Sequence, residues 1–156
     1  MYIYVGDGRN VTARILTCHC SGNVEASALR KHVAHAMGFR LAKTRRPSGT
    51  LKIRLDIPNP RLGEARITSY VRSGSWKYVL CASYEEANAF QWFAIEALNP
   101  LLNRDRRASD ALRIERFKDL LANLERSGPY PFSEIRRLPT GLGVYALCHA
   151  TEPEAA

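Results

Sequence analysis

Acidic residues are in short supply in this chain: 15 Asp and Glu stand against 23 Lys and Arg, for a formal charge of +8. The deficit is sharpest between residues 40 and 54, where Arg40, Lys43, Arg45, Arg46, Lys52 and Arg54 occur without one acid. That balance disfavours cationic partners and points to polyanions, DNA first and RNA second. Long apolar runs are also missing. Nothing approaches the roughly 20 residues of a membrane-spanning helix, and the first residues lack the basic-then-apolar layout of a secretory leader. A cytoplasmic, intracellular protein with no membrane partner is therefore expected. Cysteine is sparse, with Cys18, Cys20, Cys81 and Cys148 scattered over 156 residues. A chain of this size has no need of staples, so reduced thiols are expected. Low-complexity segments are absent, and with 46% hydrophobic residues the chain can bury one good core. The expectation is one domain over residues 1–150 and a disordered tail over 151–156.

What is present begins with the first twenty residues. Met1 to Val5 are strand-prone, Gly6-Asp7-Gly8 reads as a turn, and Asn10 can cap a following helix from which Arg14 projects. Such a unit places Tyr4, Arg14 and a histidine, His19, around one hollow beside the N–H groups of a helix start, where a phosphate is welcome. Cys18-His19-Cys20 has a metal-binding look, but zinc sites space a cysteine pair by two to four residues and need further ligands, so zinc is not expected.

Farther along, apolar residues at helical spacing predict a helix from Asn23, as its cap, to Gly38, as its stop. His32 and His35 on it are read as part of a basic solvated face. Alternation over Ser48 to Ile57 predicts a half-exposed strand, making the basic run a hairpin or a loop plus strand. A short helix is expected over Gly63 to Ser73, a strand over Trp76 to Ala82, and a helix from the capping box of Ser83 and Glu86 to just before Pro100, burying Ala87, Phe90, Ala94 and Leu98. Arg104 to Ala108 reads as a polar connector, Leu112 to Leu124 as an amphipathic helix stopped by Gly128-Pro129, and Gly143 to Cys148 as a last strand behind a glycine-rich lead-in.

With those pieces placed, the chain resembles a GIY-YIG nuclease domain. Tyr4-Val5-Gly6 matches the family's Tyr-Ile/Val-Gly strand, Arg14 lies eight residues after Gly6 as the family's arginine does, and His19 stands one residue later than the usual histidine spacing. Pro100 to Asn103 matches the Pro-x-x-Asn end of the family's distal helix. The Gly-Ile-Tyr strand that should come first is found only as Gly143-Val144-Tyr145 near the far end, an order that resembles a circular permutation; as a common tripeptide, it reads equally as an ordinary strand with a core aromatic.

The resemblance implies an α+β fold with a small, mainly antiparallel sheet flanked by helices, and a metal-dependent endonuclease that hydrolyses phosphodiester bonds in DNA. It implies catalytic roles for Tyr4, Arg14, His19 and Tyr145, support from Gly6 and Asn103, and a Mg2+ or Mn2+ ion. The family's spacing puts the metal-binding glutamate at Gln91, where this chain carries an amide. An amide gives Mg2+ no charged oxygen, so the ligand set is rearranged, with Asp7, Glu86 or Glu96 as candidates, or the chain is a non-cleaving nucleic-acid-binding relative, or it is an inactivated version of an active enzyme. Docking of the basic face onto an acidic protein is the third reading. Nucleic-acid contacts are expected from Arg9, Arg40, Lys43, Arg45, Arg46, Lys52 and Arg54.

Overall fold

The computed structural model describes residues 1–105, 107–108 and 111–155, and its architecture is α+β. The strands are β1 (Tyr2–Gly8), β2 (Leu41–Arg45), β3 (Leu51–Leu55), β4 (Ser75–Leu80), β5 (Tyr130–Pro131) and β6 (Gly143–Cys148). The α-helices are α1 (Val11–Ala13), α2 (Ala28–Ala36), α3 (Pro60–Ser73), α4 (Tyr84–Leu98) and α5 (Ile114–Arg126); a π-helical stretch, Arg14–His19, continues α1. Four strands form one antiparallel sheet in the order β1-β6-β4-β5, and β2 and β3 form a separate hairpin. The last strand of the chain thus lies inside the sheet, beside the first.

Side chains alternate across a strand, and here both faces are covered. On one face Tyr4, Trp76, Tyr145 and Leu147 join Ile15, Leu29, Val33 and Ile67 in one buried cluster. On the other, Val5, Val79, Val144 and Ala146 meet Ala87, Phe90 and Ala94 of α4 and Phe117, Leu120 and Leu124 of α5. The sheet therefore separates two apolar layers, and an element's face decides which side chains it can meet.

Several local expectations need correcting. Gly6-Asp7-Gly8 is not a turn but the end of β1, paired with Tyr145, Val144 and Gly143 in turn. The chain reverses only at Arg9 and Asn10, where the Asn10 side chain accepts the Ala13 N–H at 3.0 Å as expected of a cap. Asn23 does not cap α2. Its Oδ1 takes the Glu25 and Ala26 N–H groups of a preceding turn, and Ser27 is the cap, accepting from Arg30 N at 3.1 Å. Gly38 does follow the helix end, at φ 84°, a conformation glycine adopts without strain. In α4, Ser83 accepts from Glu86 N, but the Glu86 carboxylate reaches Ala82 N. Ile95 rather than Leu98 completes the buried stripe.

Residues 151–155 carry no helix or strand, yet Pro153 is buried and the Tyr70 hydroxyl donates to the Thr151 carbonyl at 3.0 Å, so this part of the tail rests on α3. Ala156 of the expected tail and Arg106 of the expected connector lie outside the described residues. All four cysteines are free. Among the described residues no helix is long and apolar enough to cross a membrane.

Candidate functional site

The register of β1 against β6 sets Gly6 opposite Tyr145. A Cβ at Gly6 would lie 2.5 Å from the Tyr145 hydroxyl and 2.9 Å from Tyr4 Cε1, so only glycine lets the two phenols close over the strand. At Gly8 a Cβ would stand 3.3 Å from Arg14 Cβ. The two glycines thus leave a trough along β1 into which the next element lowers its side chains. Arg14 and His19 sit at either end of the π-helical stretch, whose wider turn is closed by Cys20 N donating to Ile15 O at 2.9 Å. Such π-turns are frequent at functional sites.

Within the trough the side chains are linked. His19 Nε2 lies 2.6 Å from the Tyr145 hydroxyl, and Nδ1 lies 2.7 Å from Ser27 Oγ. The imidazole stacks on Trp76, with centroids 6.0 Å apart and planes 9° from parallel. Arg14 donates to Cys18 Sγ at 3.3 Å, and its charge acts on the Tyr145 hydroxyl. The Tyr4 ring lies 6.1 Å from His19 and 6.2 Å from His32. Beneath them Arg30, fully buried, donates to the His19 carbonyl at 2.9 Å and pairs with Glu64 at 2.6 Å.

Burial sets the charge states. It lowers the His19 pKa to about 3, helped by the nearby Arg14 and Arg30, so the ring is neutral and spends its one donor and one acceptor on Ser27 and Tyr145. Burial pushes the Tyr4 phenol up to about 12 and the Tyr145 phenol well above its ordinary value, the Arg14 charge only partly opposing both shifts. The trough therefore presents neutral hydrogen-bonding groups and one half-buried guanidinium. Among the described residues no carboxylate pairs with Arg14, a charge that an incoming phosphate could balance.

The structure brings together Tyr4, Gly6, Arg14, His19 and Tyr145. Asn103 acts nearby on the backbone: its Oδ1 accepts the Val5 N–H at 2.8 Å and its Nδ2 donates to the Val5 carbonyl at 2.9 Å. Leu101 N and Leu102 N donate to the Tyr2 and Ile3 carbonyls, so the Pro100–Asn103 segment seals the open edge of β1. The end of α4 is closed instead by Asn99, in the left-handed region at φ 42°. Gln91 is half-buried on α4, the helix on the face of the sheet away from Tyr4 and Tyr145. Arg9 stacks over Tyr84 at 4.3 Å. Arg40, Lys43, Arg45, Arg46, Lys52 and Arg54 are all exposed, on or beside the β2–β3 hairpin.

No protein-family model, curated protein or solved structure matches this chain.

Among the described residues no three His, Cys, Asp or Glu side chains converge. Of the alternative ligands, Asp7 accepts from Asn88 Nδ2 at 3.1 Å, and Glu86 is taken up by Arg116 at 2.9 Å and by Ala82 N at 2.7 Å.

Sequence reasoning passed over Ser27, Trp76, Arg30 and Glu64. A serine just before a helical run is a capping signal, and it could have placed Ser27 near the site. Trp76 and the Arg30–Glu64 pair carry no local signal, because their roles arise from contacts made across the fold.

Proposed function

We propose that this protein is a GIY-YIG-like endonuclease acting on phosphodiester bonds in DNA, with the Tyr4, Arg14, His19 and Tyr145 trough as its active site. The observation that carries the reading is the junction of the two chain ends: Tyr145 of the last strand, 2.6 Å from His19, faces the glycine of the Tyr4-Val5-Gly6 strand and feels the Arg14 charge.

In this reading the phosphate docks on Arg14, whose planar fork offers two parallel donors to phosphate oxygens. Charge that builds on those oxygens during displacement is offset by the same guanidinium, held in a partly desolvated site where its field is strong. Tyr4, a buried neutral donor beside His19, orients the attacking water or the phosphate by its hydroxyl. Tyr145 and His19 hold Arg14 and the strand edge in place, with Ser27 and Trp76 fixing the ring. No step is assigned to a protein-held metal.

Gln91 favours a second reading, a nucleic-acid-binding relative that does not cut. The two are separated by incubating supercoiled plasmid with the protein in Mg2+, in Mn2+ and in EDTA, beside Gln91→Glu. Nicked circles from the wild-type chain support the endonuclease. Salt-sensitive binding with no nicking by either protein supports the second reading and overturns the first.

A further inference from the structure

Outside the trough, the β2–β3 hairpin is a largely exposed element. It is a separate two-stranded sheet, and Leu41, Ile53 and Leu55 pack it against the apolar cluster on one face of the main sheet. Leu41 pairs with Leu55 at its base, and Arg45 with Leu51 at its tip, before a turn in which Gly49 takes φ 84°. The base is anchored: Leu55 is buried, and a Cβ on Gly63 of α3 would lie 2.5 Å from Leu55 Cδ1, so helix and ribbon are in close contact. The tip is tied back by Glu25, which pairs with Arg46 of the turn at 2.8 Å. The ribbon is thus tied at its base and at its turn, while residues 43–52 are exposed.

Its two faces differ in chemistry. Pairing puts Leu41, Lys43, Arg45, Leu51, Ile53 and Leu55 on one face, and Ala42, Thr44, Lys52 and Arg54 on the other. The second face has no large apolar side chain, and Thr44, Lys52 and Arg54 on it are exposed. Among the described residues Lys43, Lys52 and Arg54 form no ion pair, and Glu25 is the one acid paired with a hairpin cation. A pair of strands about 4.8 Å apart is narrow enough to enter the major groove of B-form DNA, about 12 Å wide, and this is an established way for a β-ribbon to read base edges. Arginine and lysine suit guanine O6 and N7, threonine suits several bases, and an alanine methyl suits the thymine methyl. The deep, narrow major groove of duplex RNA would not admit it.

We infer that the β2–β3 hairpin is a DNA-reading ribbon that enters the major groove, with Thr44, Lys52 and Arg54 toward the base edges and Arg40, Lys43, Arg45 and Arg46 on the flanking phosphates. This rests on the DNA reading of the trough and adds to it the element that selects duplex DNA.

The test measures binding to a 30-base-pair DNA duplex, the same duplex in RNA, and the single strand, in EDTA so that cleavage plays no part. Three proteins are compared: wild type, Lys52→Gln/Arg54→Gln, and Lys43→Gln/Arg45→Gln; thermal melts confirm that each remains folded. Wild type is expected to prefer duplex DNA and to protect guanine N7 from dimethyl sulfate. Lys52→Gln/Arg54→Gln is expected to lose that protection and about tenfold or more in affinity. Lys43→Gln/Arg45→Gln should lower the slope of log affinity against log salt by about two. Ribbon-dependent binding without any plasmid nicking would remove the nuclease and leave the ribbon standing. Unchanged N7 protection and affinity in Lys52→Gln/Arg54→Gln, or equal binding of the RNA duplex by wild type, would overturn the ribbon whether or not the protein cuts.

Discussion

His19 and Tyr145, 126 positions apart in the chain, meet in a 2.6 Å hydrogen bond that joins the first helical segment to the last strand. Both side chains are buried, so the bond has no water to replace it. Tyr145→Phe keeps the ring and leaves His19 Nε2 without its partner. The expected cost is about 1–3 kcal/mol of folding stability, read from urea denaturation. An unchanged midpoint would show that the bond is not formed in solution.

The neutrality of His19 has a pH signature. Its folded pKa, about 3, lies below the ordinary 6.5, so the unfolded chain takes up the proton first. Its contribution to stability is full above about pH 6.5 and is lost as pH falls toward 3, with a slope of up to about 1.4 kcal/mol per pH unit. Nitrogen NMR of the imidazole should show no protonation of His19 between pH 7.5 and 5. A titration midpoint near 6.5 would contradict the burial described here.

Arg30 makes the second buried commitment. Its guanidinium is held by Glu64 Oε2 at 2.6 Å, Thr68 at 2.9 Å and the His19 carbonyl at 2.9 Å, with no exposure of its own. Glu64→Ala leaves that charge buried without a counter-ion and is expected to cost about 3–5 kcal/mol. Arg30→Met/Glu64→Met, which removes both charges, should recover much of the loss in the same denaturation assay.

Asn103 supports β1 through two hydrogen bonds to the Val5 backbone. Asn103→Ala strips both hydrogen bonds from Val5, and a loss of about 1–3 kcal/mol is expected, with faster hydrogen exchange at the Val5 amide. Slow exchange in that variant would mean that the rest of the Pro100–Asn103 segment is enough to close the edge.

Much of the fold could be read from local pattern. The periodic stripe of α4, the Asn10 cap and the alternation that became β3 each follow from residues within a few positions of one another. The Gly-Asp-Gly segment misled because glycine signals two different needs, a turn or a close approach, and here the neighbour that needs the space is Tyr145, far away in sequence. The trough was half legible. Tyr4, Gly6 and Arg14 share one short stretch, and the adjacency of Tyr145 follows once the last strand is placed beside the first. The Ser27 and Trp76 contacts to His19, and the face of the sheet taken by Gln91, depend on packing that no short segment encodes.

The central claim is that Arg14 holds the phosphodiester in the trough, and the most direct measurement is the rate of plasmid nicking by wild type and Arg14→Ala at equal concentration. Arg14 is half-buried and lies at the start of a helical stretch, so the alanine variant is expected to fold. The wild-type chain should convert supercoiled plasmid to nicked circles, and Arg14→Ala should do so about a hundredfold more slowly or worse. Equal rates for the two proteins would contradict the assignment.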